Sequence, residues 1–449
     1  MLFNKILIAN RGEIAVRIIR ACREMGIQTV AVVSEADRDC LHAYMADETV
    51  CIGGPASKDS YLNMQSILNT AVLKGANAIH PGFGFLSENA EFATMCRELG
   101  IKFIGPDPES ISMLGDKAVA KETMRACGVP TIPGSDGVVK NIEHALELAE
   151  KIGYPLLIKA SAGGGGRGIR LVKEESELER AFYTAQSEAL NFFGDGSLYM
   201  EKFLQNTRHI EFQILADEFG NVVHLGERDC SLQRRNQKMI EESPSVALDQ
   251  ELRDRMGEAA VRAAKAVGYK NTGTVEFLLE GKEFYFMEMN TRIQVEHPVT
   301  EMVTRIDLIK QQIKIAAGET LQFRQEDIKL DGHAIECRIN AEDPNQNFAP
   351  CSGTVDFFHV PGGMGVRFDS HLYQGYEIPV FYDSMLGKLI TWGNTRQEAL
   401  GKMSNALHEM VIEDVTTNLD FQIRLIEDPK IQKGEYNTNT INEMLVKKK

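Results

Sequence analysis

Five polar side chains recur at every second position of one short segment: Glu288, Asn290, Arg292, Gln294 and Glu296, with Met289, Thr291, Ile293 and Val295 between them. Side chains alternate sides along an extended chain, so all five would point one way. Two carboxylates, two amides and a guanidinium on one side suit a metal ion, a small oxyanion and a base. The competing reading is a solvated strand face. Just upstream, TVEFLLEGKEFYFMEMN (274–290) reads as a hairpin. A two-residue turn at Gly281 and Lys282 would put Glu276 and Glu288 on opposite faces. A three-residue loop over 281–283 pairs Glu280 with Phe284 and sets Glu276 opposite Glu288. Facing carboxylates repel unless a cation lies between them, and Mg²⁺ bridging to phosphates is the natural occupant.

A second feature is SAGGGGRG (161–168), directly after the apolar strand PLLIKA (155–160). Consecutive glycines let backbone N–H groups approach phosphate oxygens. A bare glycine run is more often a flexible surface loop. Lys159, just before it, tips the balance towards phosphate. No Walker loop occurs, and GFGFLS (82–87) lacks the third glycine of a dinucleotide fingerprint. Arg338, in HAIECRINAED (333–343), supplies a fixed cation whose forked donors suit a planar anion. Taken alone, such an arginine is usually structural.

Those groups need a scaffold, and the pattern along the chain suggests one. Residues 5–9 and 28–33 are compact apolar runs, and residues 12–26 between them carry Ile14, Ile18, Ala21 and Met25 at helical spacing. Alternation of this kind continues to about residue 106, the signature of βαβ units and a parallel sheet. Turn-rich breaks follow at GPDP (105–108) and TIPGSDG (131–137). Residues 210–290 read as strands and hairpins around a helix at 249–267. A further helix is expected over 306–317, a strand-rich stretch over 333–390 and a helix over 397–412. The expected division is an α/β N-terminal domain over 1–114, a middle domain over 115–330 with a lid at about 131–203, and a C-terminal mixed β/α domain over 331–449.

A chain of 449 residues is too long for one core and suggests roughly two to four domains. Apolar residues at 43% and charged residues at 25% are ordinary for a globular protein. The net charge of -15 argues against a general nucleic-acid binder. It leaves room for a local basic pocket. The 8 cysteines lie far apart with no C-x-x-C pair, so zinc and redox sites are disfavoured and a reducing compartment is expected. No run suits a signal peptide or a membrane span, and a cytoplasmic location is expected.

The chain closely resembles the biotin carboxylases of the ATP-grasp superfamily over essentially its whole length. The resemblance rests on KILIANRGEIAVRI (5–18), IHPGFGFLSENAEFA (79–93), KASAGGGGRGIR (159–170), GERDCSLQRRNQK (226–238), FMEMNTRIQVEHPVTE (286–301), HAIECRINAED (333–343) and YDSMLGKLI (382–390), in that order. It implies an ATP-grasp α+β core with a mobile lid between the two outer domains. It implies that Lys117 and Lys159 contact ATP phosphates and that Gly164, Gly165 and Gly166 close over them. Glu201, Lys202 and Leu204 resemble the adenine-contacting segment, and His209, Gln233 and Asn236 lie at further nucleotide positions. Glu276, Glu288 and Asn290 would hold Mg²⁺ or Mn²⁺. Lys238, Arg292, Gln294, the Val295 backbone and Arg338 would bind bicarbonate, with Glu296 the general base. Arg338 and Phe83 would meet biotin. Phe83 stands where a tyrosine often contacts biotin, and Asn236 where a histidine often lies, so affinity and pH profile are the properties these departures touch.

The implied reaction is ATP- and bicarbonate-dependent carboxylation of biotin through carboxyphosphate. Implied partners are a biotin carboxyl carrier protein and carboxyltransferase subunits, as in an acetyl-CoA carboxylase serving fatty acid synthesis. The chain carries no A-M-K-M biotin-attachment signature. A homodimer is expected, with Arg20, Glu24 and Arg367 as interface candidates. Rival readings are a carbamoyl-phosphate or purine-pathway carboxylating ligase, and a catalytically silent ATP-binding regulator.

Overall fold

Five parallel strands open the chain. In the computed structural model, which describes residues 3–160, 169–193 and 195–446, they are β1 (Lys5–Ile8), β2 (Gln28–Ser34), β3 (Glu48–Gly53), β4 (Ala78–His80) and β5 (Lys102–Phe103). They pair in the order β3-β2-β1-β4-β5. Parallel neighbours need crossovers, which the helices Gly12–Glu24, Met64–Lys74 and Ala90–Glu98 supply. Helices on both faces explain why Ile6, Leu7 and Ile8 are all fully buried. Strand order reverses between β1 and β4, so the loops leaving their carboxyl ends diverge and open a crevice. Asn10, Glu13, Phe83 and His371 line a cavity of about 180 Å³ there.

A small antiparallel sheet follows, β6 (Leu156–Ala160), β7 (Ile169–Val172) and β8 (Leu198–Lys202), in the order β7-β6-β8. Helices Ile142–Ile152 and Glu175–Phe193 back it. Leu156, Ile158, Phe182 and Met200 belong to a core of its own.

Beside three two-stranded ribbons among the described residues, eight of the remaining strands build one antiparallel sheet. Its members are β9 (Arg208–Ala216), β10 (Val222–Arg234), β11 (Gln237–Ser243), β12 (Asn271–Glu280), β13 (Glu283–Asn290), β14 (His333–Asn340), Val366–Ser370 and Met385–Gly393. They run β13-β12-β9-β10-β11-β14, then Met385–Gly393, then Val366–Ser370. The strands after residue 331 therefore continue the sheet of the middle region, and main-chain bonds between β11 and β14 make the join. Ile210, Phe212, Ile214, Val275 and Phe277 pack on helix Gln250–Ala266. Strand alternation then sends His209, Glu211, Gln213, Thr274 and Glu276 to the other face, where all five are buried. A buried polar face needs partners for every group.

The hairpin reaches the facing carboxylates by another route than expected. Its turn has two residues, Gly281 and Lys282, so Glu280 pairs with Glu283 and not with Phe284. Gly281 at φ 63 supplies the left-handed position such a turn requires. Phe277 pairs with Phe286, and the next pair is Glu276 with Glu288. Met287 is the extra residue of a bulge, which reverses the parity that a regular two-residue hairpin would impose. The expected extended run to Glu296 also ends early. β13 stops at Asn290, and the chain bends at Thr291 and Arg292, where the Thr291 N–H donates to the Glu88 carboxylate.

Candidate active site

The polar face of the large sheet carries a dense ionic cluster. At its floor lies Arg228, fully buried. Its Nε donates to Glu211 at 2.5 Å, and its terminal nitrogens donate to Gln213, Thr274 and Thr300 at 2.7–3.1 Å. Burial works against the charged guanidinium, yet Glu211 and Glu296 raise its pKa and keep it ionised. Above it, the Lys238 ammonium donates to Glu211 at 2.5 Å, Glu296 at 2.6 Å and Glu276 at 3.1 Å. All three ammonium protons are committed to carboxylates.

Glu296 is held from two sides. Its second oxygen accepts from Arg338 at 2.9 Å, and Arg338 Nε also donates to Glu241 at 2.6 Å. Burial alone would raise the Glu296 pKa, but Lys238, Arg338 and Arg228 hold it well below the ordinary carboxylate range. Glu241 faces the opposite balance. Burial pushes it up to about 7 against the pull of Arg338. Four carboxylates (Glu211, Glu241, Glu276, Glu296) thus confront three cations (Lys238, Arg228, Arg338), and burial leaves the pKa of Glu211 as well as Glu241 raised.

Towards the hairpin end the cluster turns to oxygen donors. Glu276 is buried, 2.9 Å from His209 Nε2, and accepts from Asn290 at 2.8 Å and Gln294 at 3.1 Å. Burial opposes its ionisation, but Lys238 and His209 hold its pKa far down. Opposite it, Glu288 is 38% exposed and lies 3.5 Å from the Lys117 ammonium. A cavity of about 260 Å³ lined by Glu88, Lys117, Glu288 and Asn290 opens there. Two facing carboxylates beside an amide oxygen form a hard donor set that fits Mg²⁺. Lys117 places a cation against one of them.

The structure brings together most of the side chains singled out from the sequence. Arg292 donates to Gln294 at 2.9 Å and to Asn290 at 3.2 Å. The Val295 carbonyl accepts from Lys388 at 2.8 Å. Lys159, on β6, is engaged with Glu201 on β8, and Lys121 lies 3.3 Å from the same carboxylate. Lys202 and Leu204 continue from Glu201 towards β9. Gln233 pairs directly with Lys238 across β10 and β11. Asn236 occupies the two-residue turn between those strands with Arg235, at φ 65 and 50, and asparagine tolerates that conformation well. Its identity thus has a local reason. Gly164, Gly165 and Gly166 lie outside the described residues. Phe83 lines the crevice at the ends of β1 and β4.

Sequence reasoning passed over Glu211, Arg228, Glu241 and Glu88. Glu211 was within reach, because His209, Glu211 and Gln213 alternate just as the later five do. Arg228 and Glu241 carry no such signal. Only strand pairing, Glu211 with Arg228 and Glu241 with Glu336, brings them to the cluster. Glu88 reaches Arg292 at 2.9 Å from a loop of the first domain.

With this geometry in hand, comparison with known proteins is specific. Residues 2–111 match the family model of the biotin carboxylase N-terminal domain, and residues 336–443 that of the biotin carboxylase C-terminal domain. Residues 116–324 match the carbamoyl-phosphate synthase L chain ATP binding domain. Biotin carboxylase 1 of Bacillus subtilis is 58% identical over 97% of this chain and 98% of that protein. A solved structure of the biotin carboxylase domain dimer of Hydrogenobacter thermophilus 2-oxoglutarate carboxylase, in complex with MgADP, ADP and bicarbonate, is 51% identical. It covers 99% of this chain and 98% of its own, with a TM-score of 0.90. A biotin carboxylase–β,γ-ATP complex from Campylobacter jejuni is 51% identical with a TM-score of 0.91, over 98% of this chain and 99% of its own.

Proposed function

The chain belongs to the biotin carboxylases, and on that premise we propose that it uses ATP to activate bicarbonate and carboxylates biotin borne on a separate carrier protein. The observation that carries this reading is Glu296 held between Lys238 at 2.6 Å and Arg338 at 2.9 Å in a buried pocket. That is a carboxylate and two cations spaced to receive a small anion.

Bicarbonate is a poor electrophile and a weak nucleophile. Lys238 and Arg338 take its oxygens, with Arg292, Gln294 and the Val295 backbone closing the pocket. Turning those cations towards the substrate weakens their hold on Glu296, and a second negative charge beside it raises its proton affinity. Glu296 then removes the bicarbonate proton, and the freed oxygen attacks the γ-phosphorus of ATP. Carboxyphosphate and ADP leave that step. Lys117 and Lys159 meet the phosphates, and Lys159 must turn from Glu201 to do so. Glu276, Glu288 and Asn290 would hold Mg²⁺, which would supply neutralisation of the phosphate charge. Carboxyphosphate breaks into CO₂ and phosphate, phosphate takes the proton from the ureido nitrogen of biotin, and Arg338 steadies the ureido oxygen as the nitrogen attacks CO₂. Exclusion of water by the small-sheet body protects the short-lived intermediate.

Glu201, Lys202 and Leu204 are assigned to the adenine side, with His209, Gln233 and Asn236 near the nucleotide, and Phe83 to biotin. The carboxyl group passes from biotin to an acceptor through carboxyltransferase subunits, acetyl-CoA in the reading preferred here. Dimer contacts are assigned to the helix bearing Arg20 and Glu24. Arg367 is assigned with them; within the chain it meets Glu301 at 2.8 Å and Asp369 at 2.6 Å, as Glu24 meets Lys310 at 2.5 Å.

The test is ADP release from the purified chain with bicarbonate present. Free biotin should stimulate it. Stimulation by ammonia or an aminoimidazole nucleotide, and not by biotin, would overturn this assignment in favour of the rival ligases.

A further inference from the structure

Two of the stretches that carry the family resemblance, 5–18 and 382–390, contribute no group to the reaction described above, yet they meet behind the base. Lys388, on the strand Met385–Gly393, is fully buried. Its ammonium donates to the Val295 carbonyl at 2.8 Å and lies 3.0 Å from Glu13 on the first helix. Neither Glu13 oxygen receives an aligned hydrogen bond among the described residues. The directional bond of Lys388 therefore goes to Val295, and Glu13 supplies charge balance. The Val295 carbonyl belongs to the peptide plane that joins Val295 to Glu296. Anchoring that oxygen orients the plane from which the base departs.

The location both opposes and favours a lysine. Lys388 pairs directly with Arg338 on one neighbouring strand, a like charge, and with Asp369 on the other, an opposite one. A buried ammonium also loses its hydration. Methionine would fill similar space without either penalty. Beyond a positive charge for the buried carboxylates of Glu13, Asp369 and Glu336, the lysine adds a donor aimed at Val295.

We propose that Lys388 is a positioning residue for this reaction, tying the Val295–Glu296 peptide to the first helix through Glu13 so that Glu296 faces Lys238 and Arg338. The assignment rests on the reading of Glu296 as the base.

The experiment compares the full chain with Lys388→Met and with the double variant Glu13→Gln/Lys388→Met. Lys388→Met leaves the Glu13 carboxyl without its cation and should unfold at lower temperature. The double variant removes that carboxylate and should recover part of the melting temperature, the rest staying lost at Glu336 and Asp369. Turnover should not recover: bicarbonate-dependent ADP release stays down by at least about 10-fold while KM for MgATP holds within about 2-fold, as expected of a misplaced reacting group. Hydrogen exchange over 291–297 should quicken in the double variant. Wild-type turnover or unchanged exchange in that variant would reduce Lys388 to a counter-ion and sink the proposal. If the wild-type chain itself shows no biotin-stimulated ADP release, the functional reading fails instead, and the exchange result still decides whether Lys388 holds this segment.

Discussion

Lys238 and Glu296 meet at 2.6 Å, ammonium to carboxylate, in a pocket where the lysine side chain is 12% exposed and the glutamate 1%. The contact keeps Glu296 ionised and also keeps it a weak base until an anion draws the lysine away. Replacing the carboxylate with an amide preserves shape and removes the base. Glu296→Gln should lose at least about 10²-fold in bicarbonate-dependent ATP cleavage, with MgATP affinity by calorimetry largely retained. Wild-type turnover in this variant would remove Glu296 from the mechanism.

Glu288 is the half of the facing pair that solvent reaches, and Lys117 already leans on it. A second lysine there would turn a cation site into a repulsive one. Glu288→Lys should abolish Mg²⁺-dependent nucleotide binding while nucleotide binding without metal persists weakly. Calorimetry with and without the metal separates the two, and unaltered MgATP affinity would contradict the assignment.

Arg228 has no exposed surface, and its guanidinium bonds to Glu211, Gln213, Thr274 and Thr300. Removing one partner of such a pair strands the other in a dry interior, which costs about 3–5 kcal/mol. Arg228→Met should show that loss in urea denaturation, and Glu211→Gln/Arg228→Met should recover part of it. An equally stable single variant would mean that water reaches Glu211.

Glu242 is one of several buried carboxylates that tie stability to pH. Burial would raise its pKa, but His333 at 2.5 Å and Arg396 at 2.7 Å hold it down to about 2 from 4.5. A depressed folded-state pKa gives stability that is complete above about pH 4.5 and is lost as pH falls towards 2. The shift corresponds to about 3 kcal/mol. Glu242→Gln should therefore be less stable near neutrality and show a flatter decline in melting temperature between pH 4.5 and 2. A parallel decline in both proteins would exclude this ion pair as a source of acid sensitivity.

Much of the site was legible because period-two alternation is a local property. Glu288, Asn290, Arg292, Gln294 and Glu296 are recognisable as a set without knowing what they face. The hairpin shows where such reading stops. The facing of Glu276 and Glu288 was anticipated, but through a three-residue loop. The chain uses a tight turn at Gly281 and a bulge at Met287, because the turn that glycine favours gives the wrong parity and a bulge corrects it. Glu211 was readable by the same rule of alternation and was overlooked.

By itself the order of residues determined the parallel sheet at the start, the glycine-rich stretch after an apolar strand, and the polar groups that one segment presents. These follow from backbone geometry and from side-chain spacing within a few residues. Only the tertiary structure decided that Arg228 and Lys238 would lie beneath Glu296, that Arg338 would arrive on a neighbouring strand, and that Lys388 would reach Val295 from a strand nearly a hundred positions later. The reason is physical. A charge can remain buried only where opposite charges and donors converge on it, and that convergence comes from strands far apart in sequence pairing into one sheet.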